Sequence, residues 1–186
     1  FNMFGLWMFG SPLAQMWGKN KFLFFYISAG LGAALVQLTV NYVQVSAITE
    51  QLVSTGFSKS SVVDLLQSGR YSTAWQAVIS ESQLNRLYTS FNFSMVGASG
   101  ALYGVLVAFA FLFPNAELML LFFPIPIKAK YFVPGVVLLD TISALTGRSF
   151  FSPSNTAFIA HIGGAVSGFI IMWYWKRNQF NQKRWN

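Results

Sequence analysis

The sequence predicts an all-α fold, a polytopic transmembrane helical bundle of about five spans, and three observations predict it. Charge is scarce: 12 Lys and Arg and 5 Asp and Glu make up 9% of 186 residues, where a soluble domain carries about a quarter. Apolar residues account for 54% of the chain, with 20 Phe, 6 Trp and 7 Tyr. They are also contiguous, since the stretches 1–18, 22–49, 87–116 and 149–175 hold no charge at all. Each has room for the roughly 17 to 25 residues that cross a hydrocarbon core of ~30 Å as helix.

The same composition excludes whole classes of function. A disordered chain is poor in aromatic and aliphatic residues, and this one is rich in both. With no cysteine there is no disulfide scaffold, thiolate metal site or Cys nucleophile, and a single histidine, His161, leaves no multi-His metal centre. No metal or cofactor is expected. The net charge of +7 does not point to nucleic acid, because the basic residues form no stripe with stacking aromatics on a soluble surface.

The spans follow in order at 1–17, 22–43, 93–113, 131–147 and 155–175. The first begins inside apolar sequence, at Phe1 and without an initiator Met, and ends before Lys19 and Lys21. We therefore expect a fragment or a trimmed chain, since a cleaved signal peptide would be followed by a soluble domain rather than a basic loop. The fourth span is the exception to uncharged composition, because it must contain Asp140. Alternation places Lys19, Lys21, Lys128, Lys130, Lys176, Arg177, Lys183 and Arg184 on one side, and only Lys59, Arg70, Arg86 and Arg148 on the other. The first side is then cytoplasmic. The expected organisation is one membrane domain over 1–186, with an extracytoplasmic insertion at 44–92 and a basic cytoplasmic tail at 176–186 that faces anionic membrane lipid.

The insertion has local order of its own. Ser61 to Asp64 before Leu65 and Leu66, and Thr73 to Gln76 before Ala77 and Val78, fit capping boxes and predict two short amphipathic helices. These either lie on the membrane interface or pack as a solvated insertion.

Polar groups within spans are expensive, so each asks for a reason. Ser99, in Gly97-Ala98-Ser99-Gly100, and His161, in Ala160-His161-Ile162-Gly163-Gly164, each lie six residues into their predicted spans. At ~1.5 Å per residue that is about 9 Å deep in both helices, which run in the same direction. A serine hydroxyl needs a base to become a nucleophile, and His161 is the only imidazole. A lysine base is the chemical alternative, but the lysines lie outside the spans. Gly164 and Gly168 follow His161 at i+3 and i+7 on one face, and Gly100 and Gly104 stand beside Ser99. Small residues let membrane helices approach closely, so this seam brings hydroxyl and imidazole together. The competing reading is a packing serine bonded to its own backbone. Asp140 has no basic partner in any span, and bonding to Thr141 or Ser143, or lining water, are its open roles.

At these residues the chain resembles the rhomboid family of intramembrane serine proteases. The likeness is carried by Gly97-Ala98-Ser99-Gly100 with Tyr103 four residues after the serine, by the nine residues from Ala160 to Gly168, and by the segment from Asn2 to Gly10, which is similar to the family's second helix. It extends over essentially every span and fails mainly in the insertion. The resemblance implies a Ser/His dyad without a third acid, Ser99 as nucleophile and His161 as base and then acid, with Tyr103 stacked on the imidazole. It implies an oxyanion hole made by the Ser99 N–H and the Asn2 side chain. A histidine four residues before Asn2 and a first helix would precede residue 1, so five of six expected spans are present. The loop at 148–154, with Phe150, Phe151 and Pro153, resembles a cap over the site. The implied substrates are transmembrane segments of other proteins, and the expected location is a bacterial cytoplasmic membrane. An inactive, client-binding rhomboid-like scaffold and a small transporter are the rival readings.

Overall fold

The computed structural model describes residues 1–92, 98–120, 123–146 and 157–179. Residues 2–17 form one helical run made of α1 (Asn2–Gly5), a π-helical turn (Leu6–Gly10) and α2 (Ser11–Trp17). The turn widens just before Pro12, which lacks the N–H that an α-helix would pair with the carbonyl of Met8. The run stops at Gly18, whose φ of +79° reverses the chain where a side chain would be strained.

Helix α3 (Lys19–Ser54) then runs for 36 residues, about 54 Å at ~1.5 Å per residue and far longer than a ~30 Å hydrocarbon core. The second span was expected to end at Val43. It continues because nothing between Ala33 and Ser54 breaks a helix: the stretch has no Gly or Pro. Along this helix the chain divides into two compact units, Phe1–Gln37 with Gly97–Asn186, and Leu38–Val96.

In the first unit, α6 (Ser99–Leu112), α7 (Ala129–Thr146) and α8 (Phe158–Gln179) join the start of the chain around a core of Phe9, Leu13, Phe25, Val105, Ala108, Phe109, Val133 and Met172. Phe9 meets Phe109 edge to face with ring centroids 5.2 Å apart. The all-α expectation omits one feature, an antiparallel hairpin of β1 (Glu117–Leu120) and β2 (Phe123–Lys128). Glu117 pairs with Lys128 and Leu118 with Ile127, and the register slips before Leu120. Two prolines within six residues hide β2 from pattern reading, because proline cannot donate to a ladder. Among the described residues, three helices are long and apolar enough to span a membrane: Lys19–Ser54, Ala129–Thr146 and Phe158–Asn178. Ser99–Leu112 is a shorter apolar helix.

The second unit holds the later turns of α3, α4 (Lys59–Gln67), a 3-10 turn (Thr73–Ala77) and α5 (Glu81–Phe91). Ile48, Leu52, Val62, Leu66, Trp75, Ile79, Leu84 and Leu87 form its core. Both expected capping boxes are misplaced. Ser61 lies inside α4, which starts after Ser58, and at Thr73–Ala77 it is Ser72 that accepts from the Ala74 N–H, at 3.3 Å. The capping box is at α5 instead: Ser80 accepts from the Gln83 N–H at 3.3 Å while the Gln83 side chain accepts from the Ser80 N–H at 3.0 Å. Ser80 with Gln83 fits the Ser-x-x-Gln pattern that such a box requires.

Candidate active site

The site assembles where α6, α7 and α8 meet. Helices α6 and α8 approach until their backbones touch, because glycines face each other across the seam. A Cβ added to Gly168 would stand 2.6 Å from the Gly104 Cα, and one on Gly164 would collide with the Gly100 carbonyl. A Cβ on Gly100 would meet Ala33 of α3 at 2.6 Å and the Ala160 carbonyl at 3.2 Å. Close approach of this kind holds membrane helices by van der Waals contact where no hydrophobic driving force separates lipid from protein.

The seam places Ser99, the first residue of α6, against His161, the fourth residue of α8. Ser99 Oγ lies 2.9 Å from His161 Nε2. Both residues sit at the starts of their helices, shallower in them than the predicted six residues. As the first residue of α6, Ser99 also has one of the backbone N–H groups that find no carbonyl within the helix.

Asp140 stands beside the expected Ser99–His161 pair, a neighbour that the expected dyad without a third acid did not include. Its Oδ2 is 2.6 Å from His161 Nδ1, and both side chains are buried, with each residue only 6% exposed. Neither neighbouring hydroxyl is its donor: Thr141 Oγ1 donates to the Val137 carbonyl and Ser143 Oγ to the Leu139 carbonyl. A carboxylate within a span costs roughly 2.5–3.5 kcal/mol, which a short charge-assisted bond from an imidazole N–H offsets. The bond also decides the tautomer. With Nδ1–H donating to Asp140, Nε2 is left bare and accepts the Ser99 hydroxyl. The signal in the sequence was the lone intramembrane acid itself, which by default marks function; its partner, 21 residues later, was the imidazole already assigned to serine.

Tyr103, one turn after Ser99, stacks on His161 with centroids 4.1 Å apart and planes 15° from parallel. Its phenol also lies near Asp140. The imidazole is thus held on one face by a ring and at Nδ1 by a carboxylate, while Phe158 meets it edge-on at 6.5 Å. Gly100, Gly164 and Gly168 lie in the seam as expected from their spacing. Asn2 stands in α1, half-buried, one turn before Gly5, where an added Cβ would press on Leu102, itself one turn after Ser99. Gly97, the loop at 148–154 and the tail residues Lys183 and Arg184 lie outside the described residues.

A family model of the rhomboid domain matches residues 1–178. Among curated proteins the chain is similar to Rhomboid protein 1, mitochondrial, of Saccharomyces cerevisiae, with 30% identity over 93% of this chain and 36% of that protein. It is also similar to the Presenilin-associated rhomboid-like protein, mitochondrial, of Homo sapiens, with 25% identity over 100% of this chain and 37% of that protein. The chain spans little more than a third of the length of these relatives. No solved structure matches it. Both relatives are named as mitochondrial, which lends no support to the expected bacterial membrane.

Proposed function

This chain belongs to the rhomboid family, and from that premise we propose that it is an intramembrane serine protease cutting a peptide bond in or near the transmembrane segment of another membrane protein. The chain is an integral membrane protein, and the names of its relatives favour a mitochondrial membrane for it. The observation that carries the reading is the continuous line from Asp140 through His161 to Ser99, with bonds of 2.6 and 2.9 Å.

The chemistry follows from that line. As Ser99 Oγ attacks the scissile carbonyl, His161 Nε2 takes its proton, and Asp140 stabilises the imidazolium that forms without itself becoming protonated. The negative charge that develops on the carbonyl oxygen falls to the Ser99 N–H and to the Asn2 side chain. Losing one such donor typically costs about 10²- to 10³-fold in rate. His161 then returns the proton to the leaving amine, and water repeats the sequence on the acyl-enzyme. A substrate helix must unwind locally, because an intact helix keeps its carbonyls hydrogen-bonded. The reaction uses no metal or cofactor.

Labelling of the protein in proteoliposomes with a fluorescent fluorophosphonate tests this reading. The expected result is covalent labelling that disappears in both Ser99→Ala and His161→Ala, because members of such a unit fail together. Wild-type labelling no greater than that of Ser99→Ala would favour an inactive scaffold that binds membrane-protein clients.

A further inference from the structure

Helix α8 begins at Phe158, so the N–H groups of its first turn have no carbonyl within the helix to bond. The His161 N–H reaches back to the Ala157 carbonyl at 3.1 Å. The Ala160 N–H, one residue earlier, takes a partner from another helix: Gln37 Oε1 on α3, at 3.0 Å. Both residues are buried, Gln37 at 4% exposure and Ala160 at 3%. In such a place an unmade bond is costly, because the N–H has already given up its hydration. Water has little access to replace it. The side chain acts as an N-cap supplied across an interface instead of from the helix's own leading residue.

Helix α3 is firmly seated where it offers Gln37. A Cβ on Gly163, two residues after His161, would stand 3.2 Å from the Ala33 Cα and 2.8 Å from the Val36 Cβ. One on Gly100, beside Ser99, would meet the Ala33 Cβ at 2.6 Å. Ala33 is one turn before Gln37. The same face of α3 therefore abuts the residue after the serine and the turn that carries the histidine, and Gln37 bonds the residue immediately before that histidine.

Resting on the protease reading, we propose that Gln37 is a positioning residue: by bonding the Ala160 N–H it fixes the first turn of α8 and so holds the His161 ring at hydrogen-bonding distance from Ser99. It touches neither substrate nor reacting atoms. Its contribution is geometric, and a misplacement of ~1 Å at such a site can cost on the order of 10²-fold in rate.

The test separates positioning from mere stability. Fluorophosphonate inactivation of the protein in proteoliposomes is resolved into the maximal rate and the half-saturating probe concentration, with thermal unfolding measured alongside. Gln37→Met keeps the length of the side chain and loses the acceptor. It should lower the maximal rate about 10-fold while leaving half-saturation unchanged at temperatures well below unfolding. Gln37→Glu retains an oxygen at the same reach and should recover most of that rate. If Gln37→Met does not fold, Gln37→Asn, which withdraws the acceptor by one methylene, should show a smaller loss of the same kind. A wild-type maximal rate in Gln37→Met or Gln37→Asn, with or without a lower unfolding temperature, overturns the proposal. So does a Gln37→Glu variant no faster than Gln37→Met. If the wild type itself is not labelled, the protease reading fails and this inference falls with it; labelled wild type with an indifferent Gln37 removes the inference alone.

Discussion

At the scale of single residues, the imidazole of His161 is held by two groups, Asp140 and Tyr103, and each makes a separable contribution. Asp140 fixes the tautomer through a 2.6 Å bond to Nδ1. Replacing it by Asn preserves shape but presents a side chain able to donate to Nδ1, so the proton moves to Nε2, where it blocks acceptance from Ser99. In serine hydrolases of unrelated fold the same substitution costs about 10⁴-fold. Asp140→Asn should slow fluorophosphonate labelling by at least ~10²-fold with little change in the unfolding temperature. A labelling rate within threefold of wild type would return the chain to a true dyad. Tyr103 contributes both a stacked face at 4.1 Å and a phenol near Asp140. Tyr103→Phe keeps the face, so its labelling should fall only a few-fold, whereas Tyr103→Leu loses both and should fall further. Equal losses in the two variants would show that the hydroxyl alone matters. Ser99, His161 and the glycine spacing were legible in sequence because they are local patterns. Asp140 was not given its role, because pairing across α7 and α8 is a tertiary fact that no spacing along the chain encodes.

At the scale of elements, the α6–α8 seam sets the Ser99–His161 distance, and its tolerance is small. A methyl on Gly164 would run into the Gly100 carbonyl, which is backbone and cannot swing aside as a side chain can. Separating the helices to admit it would draw His161 away from Ser99. Gly164→Ala should therefore cost stability by roughly 1–3 kcal/mol, the range for overpacking, and slow labelling together with it. Unfolding in detergent and labelling, measured on one preparation, check this; full activity with a lowered unfolding temperature would mean that the site adjusts independently of the seam. Element boundaries were less legible than element existence. Residues 22–49 carry no charge, yet α3 runs on past Glu50 to Ser54, because helix propensity does not stop where hydropathy does. The hairpin Glu117–Leu120 with Phe123–Lys128 escaped notice because its prolines argue against a strand, while its two-stranded form leaves outer edges that proline tolerates.

At the scale of the whole molecule, the first unit has chemically distinct ends. Ser99, His161 and the Gln37 contact to Ala160 lie at one end, where α6 and α8 begin and α7 finishes. At the other, Lys21 sits over the Trp175 ring at 4.5 Å, Lys176 over Phe111 at 5.8 Å and Arg177 over Trp173 at 5.6 Å. Cations and amphipathic aromatics together are what a membrane interface selects. The count of basic residues in alternate loops carried this polarity at the level of sequence. Of the second unit the sequence carried an insertion with two short helices but not its core, since the apolar residues of that core are scattered through polar segments and declare themselves only once α3, α4 and α5 are seen around Trp75. Trp75 is 1% exposed and central to a core that shares no residue with the core of the first unit. Truncating a buried Trp to Ala removes about 3–5 kcal/mol, a large part of what so small a core can supply. Trp75→Ala should accordingly raise amide hydrogen exchange through Glu81–Phe91 and Lys59–Gln67, while exchange in Ser99–Leu112 and Phe158–Gln179 stays at the wild-type rate. Exchange that rises equally in all four segments would mean that the two cores unfold as one cooperative body.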